Sequence, residues 1–351
     1  MDRLKGVDFF CGAGGMTKGL KDAGIDVLAG IDIDASCGET YSKNNGAKFL
    51  AKDIKTFTPE ELESILKIKR GDDSLLFVAC SPCQYWTDIN TDRGNNECTK
   101  NLINDFERFV EYFLPGYILL ENVKKFRSSG EDIIDRFKNK IKTLGYVYCD
   151  DVARTVQFGV PQTRKRYTLI ASRVDLKISL PIGIINKKLT VRNTIGDLNK
   201  IEPGKANNSD YLHVSANLRG ISIRRLEKTP IDGGTRKSWS PDDELQIDAY
   251  RHTDGFYDVY GRMWWDRPAP TITTKFYSIS NGRFGHPEQN RAISLREGAR
   301  LQTFPDDYIF HGTFSSKARQ IGNAVPPRYA FHLGKALIHS WRKTTNNQKN
   351  P

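Results

Sequence analysis

Asp8-Phe9-Phe10-Cys11-Gly12-Ala13-Gly14-Gly15 is the stretch on which the fold turns. Val7-Asp8-Phe9-Phe10 reads as a strand that runs straight into a glycine-rich turn, and a helical pattern starts at about Met16. Glycines at such a turn permit positive φ and let a ligand come close to the backbone at a helix N-terminus. Outward from this point, Val27-Leu28-Ala29-Gly30-Ile31 is a second strand, with a helix from about Ala35 toward Lys43. Leu75-Leu76-Phe77-Val78-Ala79 and Tyr117-Ile118-Leu119-Leu120 have the apolar character of buried strands, and Leu102, Phe106, Phe109, Val110 and Phe113 form a helical stripe between them. Strands separated by helices predict an α/β fold: a mostly parallel sheet with helices on both faces and ligands beyond the carboxyl ends of the strands.

The 351 residues exceed what one compact core usually holds. The expected division is a catalytic and ligand-binding domain over 1–175 and a smaller, loop-rich domain over 176–320. The segment 321–345 would return to the first domain, and 346–351 would be a frayed polar tail. After about Arg173 the chain becomes rich in Asn, Gly, Arg and Lys with little regular period; helical patterning returns at Ser294–Leu301 and Tyr329–Trp341. The net charge of +11 suits a polyanionic partner. The N-terminus has no apolar secretory core, and no run of about 18 apolar residues would span a membrane. Six scattered cysteines fit a reduced, cytoplasmic compartment. Cys80 and Cys83 form a single CxxC with no second pair or nearby histidine, so no metal is expected.

At the ends of the next two strands stand Asp32, placed to accept ribose hydroxyls, and Asp53, placed to accept from an adenine amino group. These acids with the glycine turn predict a nucleoside-bearing ligand. Leu76-Phe77-Val78-Ala79-Cys80-Ser81-Pro82-Cys83-Gln84 carries a thiol to the top of the sheet on a rigid Pro-Cys turn, and Leu119-Leu120-Glu121-Asn122-Val123 carries a carboxylate to the end of another strand. The two can converge although they are far apart in sequence, but a lone Pro-Cys reads as a buried structural thiol and a lone Glu-Asn as a helix cap.

In these residues the chain resembles the C5-cytosine DNA methyltransferases of bacterial restriction–modification type. Asp8–Gly15 is similar to their first motif, Ser81-Pro82-Cys83-Gln84 to the nucleophile motif, and Glu121-Asn122-Val123 to the carboxylate motif. Gln162-Thr163-Arg164-Lys165-Arg166 resembles their Gln-x-Arg-x-Arg strand. Arg291–Pro305 and Gln320-Ile321-Gly322-Asn323-Ala324-Val325-Pro326-Pro327 resemble their last two blocks. The resemblance implies the Rossmann-like sheet of S-adenosylmethionine-dependent methyltransferases. It also implies methyl transfer from that cofactor to cytosine C5 through a covalent bond from Cys83 to C6. Glu121, with Gln84 and Asn122 around the site, would serve the ring nitrogen. Arg164 would hold Glu121 and the base, and Arg166 would sit beside the thiol and phosphates. The cofactor would meet Phe10, Gly12, Ala13, Gly15, Asp32, Ile33, Asp53, Ile54, Pro82, Leu102, Asn323 and Val325. The family's usual Pro-Pro-Cys is Ser81-Pro82-Cys83 here, and Cys80 stands where a glycine is common; it is expected to pack rather than react.

The implied partner is double-stranded DNA, with the target base swung out of the helix; methyltransferases are among that principle's own examples. Thr87–Thr99 resembles the family's mobile loop, and about 187–271 the target-recognition region. There Arg224, Arg225, Arg236, Lys237 and Thr271 are the expected DNA contacts. The protein is expected to act as a monomer on the bacterial or archaeal nucleoid, with any restriction endonuclease a functional companion only. Two other readings stay open at this stage: a transfer-RNA C5-cytosine methyltransferase, and an inactive DNA-binding homologue. A nicotinamide oxidoreductase would need a G-x-G-x-x-G that Gly12, Gly14 and Thr17 match only loosely.

Overall fold

The computed structural model describes residues 3–82, 102–183, 189–239, 244–250 and 256–349. Cys83, Gln84, the Thr87–Thr99 segment and Lys187 lie outside the described residues. The strands are β1 (Lys5–Phe9), β2 (Asp26–Asp32), β3 (Lys48–Ala51), β4 (Leu75–Ala79), β5 (Tyr117–Val123), β6 (Val147–Arg154) and β7 (Lys165–Ser172). The helices among and after them are α1 (Gly15–Ala23), α2 (Gly38–Asn45), α3 (Pro59–Leu66), α4 (Leu102–Phe113), α5 (Phe126–Ser129) and α6 (Glu131–Thr143). The order across the sheet is β3-β2-β1-β4-β5-β7-β6, parallel except for β7, which runs antiparallel to both neighbours. The mostly parallel sheet is the one the sequence predicts. Strand order reverses between β1 and β4, and in such sheets the crevice for ligands opens beyond the strand ends at that reversal.

Period-two alternation splits β1 between two environments. Val7 and Phe9 enter the larger aromatic core, where Phe9 makes edge contacts with Phe77, Phe106 and Phe109 at 5.0–5.2 Å between centroids. Asp8 points the other way and is fully buried, its carboxylate accepting from the Thr17 hydroxyl of α1 at 2.6 Å. The Thr17 hydroxyl also lies 3.0 Å from that of Tyr41 in α2. One polar knot thus ties β1, α1 and α2 beneath the glycine turn.

The chain divides into two compact units. The first comprises 1–154, 165–184 and 325–351; the second comprises 155–164 and 185–324. The second unit carries α7 (Val191–Ile195), the β8 (Ala206–Asn207) and β9 (Asp210–Val214) ribbon, α8 (Gly220–Lys228), α9 (Leu295–Leu301) and α10 (Phe314–Asn323). The first unit ends in α11 (Pro327–Lys349), which continues past the point where the sequence places a frayed tail. Among the described residues, no helix is long and apolar enough to cross a membrane.

Helix α11 packs along α1. Gly19 makes that approach possible, because a Cβ there would overlap the Pro327 carbonyl and Ala330. Gly19→Ala is therefore expected to destabilise the protein by about 1–3 kcal/mol, as overpacking does, despite alanine's better helix propensity. A urea midpoint unchanged from wild type would refute the close contact.

Candidate active site

At the end of β1 the backbone of Phe10 is left-handed (φ 61°), followed by Gly12 (φ 50°) and Gly14 (φ 88°), the residue that precedes α1. A side chain on Gly12 would meet no atom of the described residues within 4 Å, so among them the turn is open. The Phe10 ring is half-buried against the core, whereas Ile33 is 69% exposed. Asp32 holds the turn from beside it: its carboxylate accepts from Gly12 N at 2.8 Å and Asp34 N at 2.9 Å. A carboxylate has several acceptor positions, so Asp32 can also accept from a ligand's hydroxyls. Desolvation raises the Asp32 pKa, against the lowering effect of those amides. Asp53 accepts from Lys55 N at 3.0 Å, and the carbonyl of buried Ile54 accepts from Arg108 at 2.6 Å. Leu102, the first residue of α4, is buried. An open glycine cradle, an exposed isoleucine and a braced acid fit the adenosine end of a cofactor such as S-adenosylmethionine.

Parallel pairing of Ala79 with Leu120 aligns the exits of β4 and β5. Two residues on, Asn122 Nδ2 donates to Ser81 Oγ at 2.9 Å, which fixes the turn that leads to half-buried Pro82 and on to Cys83. Glu121 is buried beside it, and its Oε1 lies 3.0 Å from Arg166 Nε. Register explains this pair: Arg166 stands opposite Val123 on antiparallel β7, so Glu121 is its diagonal neighbour on the same face. Arg166, expected beside the thiol, is thus also a partner of Glu121. Cys80 behaves as packing: burial, with the Asp8 and Glu121 charges behind it, pushes its thiol well up, away from the reactive thiolate. Burial likewise pushes the Asp8 carboxyl up to about 7. Neither the Asp8–Thr17–Tyr41 knot nor the Arg108 brace was visible in the sequence, since nothing in their spacing announces a contact.

In the second unit, Arg164 is buried and donates to the carbonyls of Ile272 and Ala324, both at 3.2 Å. Gln162 links the same elements, donating to Leu301 O and Gln302 Oε1 and accepting from Ile272 N. This frame fixes Thr271, which is partly exposed, and exposed Asn323 at the end of α10. Val325 is buried in the first unit. The basic residues expected on DNA are differently occupied. Arg224 is exposed and pairs with Glu244. Arg225 donates to Leu245 O at 2.9 Å and lies over the Tyr260 ring. Arg236 is buried between the rings of Tyr250 and Tyr257, while Lys237 is exposed above Tyr257 at 3.9 Å. Among the described residues, no group of three or more His, Cys, Asp or Glu side chains could hold a metal ion.

The family model for C-5 cytosine-specific DNA methylases matches residues 4–339. The chain belongs to this family. It is 38% identical over 94% of its length, and 94% of the relative's, to the type II methylase M.HgiDII of Herpetosiphon aurantiacus. It is 31% identical to the type II methyltransferase M1.BsuMI of Bacillus subtilis, covering 93% of this chain and 78% of that one. In fold it matches a putative DNA modification methyltransferase encoded within an E. coli prophage, with a TM-score of 0.75 at 20% identity, covering 97% of this chain and 99% of that one. DNA (cytosine-5-)-methyltransferase activity and the use of S-adenosylmethionine follow from the family.

Proposed function

We propose that this methylase modifies the C5 position of a cytosine flipped out of a short, specific duplex sequence, as a type II modification enzyme. The observation that carries the reading is the buried Glu121 held by Arg166 at the exit of β5, beside the Ser81-Pro82 turn that Cys83 follows in the sequence. Cytosine C5 is a poor nucleophile. Attack of the Cys83 thiolate on C6 forms a C–S bond and moves the ring electrons toward C5 and N3. Glu121 meets that charge by protonating or hydrogen-bonding N3, and Arg166 keeps its carboxyl oriented. Bound S-adenosylmethionine supplies an electrophilic methyl group. The C5 proton is then removed, the C6–S bond breaks and Cys83 is released.

On the cofactor side, Phe10 and Ile33 flank the adenine, Asp32 accepts from the ribose, and Asp53 with Ile54 meets the adenine edge. Gly12, Ala13, Gly15, Pro82, Leu102, Asn323 and Val325 line the remainder. Arg164 supports the base, and Gln84 and Asn122 order the loop. Exposed Arg224 and Lys237 and partly exposed Thr271 face the DNA, while Arg225 and Arg236 brace this region from within.

Bisulfite sequencing of a mixed-sequence plasmid treated with enzyme and S-adenosylmethionine tests the reading. Protected cytosines in one short recurring context are expected; their absence, with cofactor binding verified, would refute it. Glu121→Gln is expected to bind cofactor normally yet slow single-turnover methylation about 10²- to 10⁴-fold, the usual worth of a positioned proton donor. An unchanged rate would remove Glu121 from the chemistry.

A further inference from the structure

Two buried arginines in the second unit hold one short loop. Arg262, 1% exposed, donates to the carbonyls of Thr229 (3.0 Å), Leu226 (2.7 Å), His286 (3.1 Å) and Gln289 (2.7 Å), and to the Asn290 side chain. Arg283 donates to the carbonyls of Gly233 (2.9 Å), Gly234 (3.2 Å) and Arg262 (3.0 Å), and its Nε meets Asp258 at 2.7 Å. The loop between these anchors has left-handed backbone at two successive residues, Asp232 (φ 55°) and Gly233 (φ 99°). Asp232 N donates to Pro287 O at 2.8 Å, and its carboxylate accepts from Trp265 N at 2.6 Å. The Trp264 ring lies so close to Gly233 that a Cβ would overlap it, and that ring is flanked by the guanidinium groups of Arg283 and Arg267 at 4.1 and 4.5 Å.

Buried cations on carbonyls and consecutive left-handed residues are costly, and they persist where a backbone shape is needed for function. The residue this rigid loop presents is Ile231, 65% exposed between exposed Pro230 and Asp232. A scattered surface isoleucine means little, but this one adjoins backbone fixed at Asp232 and Gly233. The exposed Lys228 and Lys237 lie on the same stretch and supply attraction to phosphates. We propose that Ile231 is a specificity-determining residue that contacts a thymine methyl of the target duplex. That methyl is the apolar group which base edges offer in the major groove. A preformed loop avoids the ordering cost that a mobile one would incur on binding. The inference rests on the proposal that about 187–271 recognises DNA.

The test compares wild type with Ile231→Ala on a duplex library of randomised context, read by bisulfite sequencing, and then on sites with uracil replacing thymine. Wild type should favour thymine at one position and lose about 4-fold when its methyl is removed, the worth of one buried methyl group. Ile231→Ala should show equal rates with thymine and uracil there, with cofactor affinity unchanged. The same context profile and the same thymine-to-uracil ratio in both enzymes would overturn the inference. A Lys228→Ala, Lys237→Ala double variant separates the two proposals. If it binds all duplexes less tightly while Ile231→Ala changes nothing, only the role of Ile231 fails. If neither variant alters binding or context, the recognition assignment fails with it.

Discussion

Replacing Cys83 by serine is expected to abolish methylation, by about 10⁴-fold or more, while leaving duplex binding and cofactor binding close to wild type. The size follows from the chemistry. A thiol near its ordinary pKa supplies a usable fraction of thiolate at neutral pH, whereas a serine hydroxyl supplies essentially no alkoxide. Removing a covalent nucleophile from an otherwise intact site has effects of this order. The hydroxyl is smaller than the thiol, so neither the Ser81-Pro82 turn nor the Glu121–Arg166 pair need move. Tritiated methyl incorporation and a gel-shift titration on the same duplex check both halves. Turnover within tenfold of wild type would exclude Cys83 as the nucleophile. Loss of binding alongside activity would mean that the variant perturbs the fold.

The second large effect concerns stability. Glu297, 1% exposed, accepts hydrogen bonds from both terminal guanidinium nitrogens of fully buried Arg291 at 2.7 and 2.8 Å. It also closes a capping box on α9, accepting from Ser294 N at 2.6 Å while its own amide donates to Ser294 Oγ at 3.1 Å. Glu297→Ala removes the cap and strands a buried cation, so a loss of about 3–5 kcal/mol is expected. Replacing both partners by apolar residues should recover much of it. The same cluster makes stability depend on pH. Burial alone would raise the Glu297 pKa, but the Arg291 charge and hydrogen bonds hold it well below the ordinary carboxylate range. Burial also pulls nearby His286 down to about 4. Both folded values are depressed, so both contributions are complete above the unfolded values, near 6.5 and 4.5. They are lost as pH falls through the folded ones. The urea midpoint, followed by tryptophan fluorescence, should drop between pH 6.5 and 4 in wild type. A flat profile would contradict the assignment.

Four of the first five strands, β1, β2, β4 and β5, were legible because they are apolar runs that end in chemically distinctive residues, as Leu75–Ala79 does at Ser81-Pro82. Strand β6 was not, because Asp150, Asp151 and Arg154 interrupt its pattern at the sheet's edge, where one side meets solvent. Helix α3 carries a signal readable in sequence: Thr58 and Glu61 form a capping box with Pro59 at the first position. At the site, the acids and the Pro-Cys turn were visible in one dimension, but which arginine meets Glu121 depends on the β5–β7 register, which no local pattern encodes. The recognition region was least legible. Its many arginines look alike in sequence, yet Arg262 and Arg283 are girders and Lys237 is surface, a difference set by burial alone.

The glycine contact between α1 and α11 also has a bearing on time. Helix α1 lies near the start of the chain and its packing partner begins at Pro327, so the ribosome delivers one face of this seam long before the other. Folding proceeds largely in order of synthesis. The apolar side of α1 must therefore wait, uncovered, through translation of the entire second unit. In the nascent methylase this seam closes only once α11 has emerged, so the first unit is completed after the second has been translated.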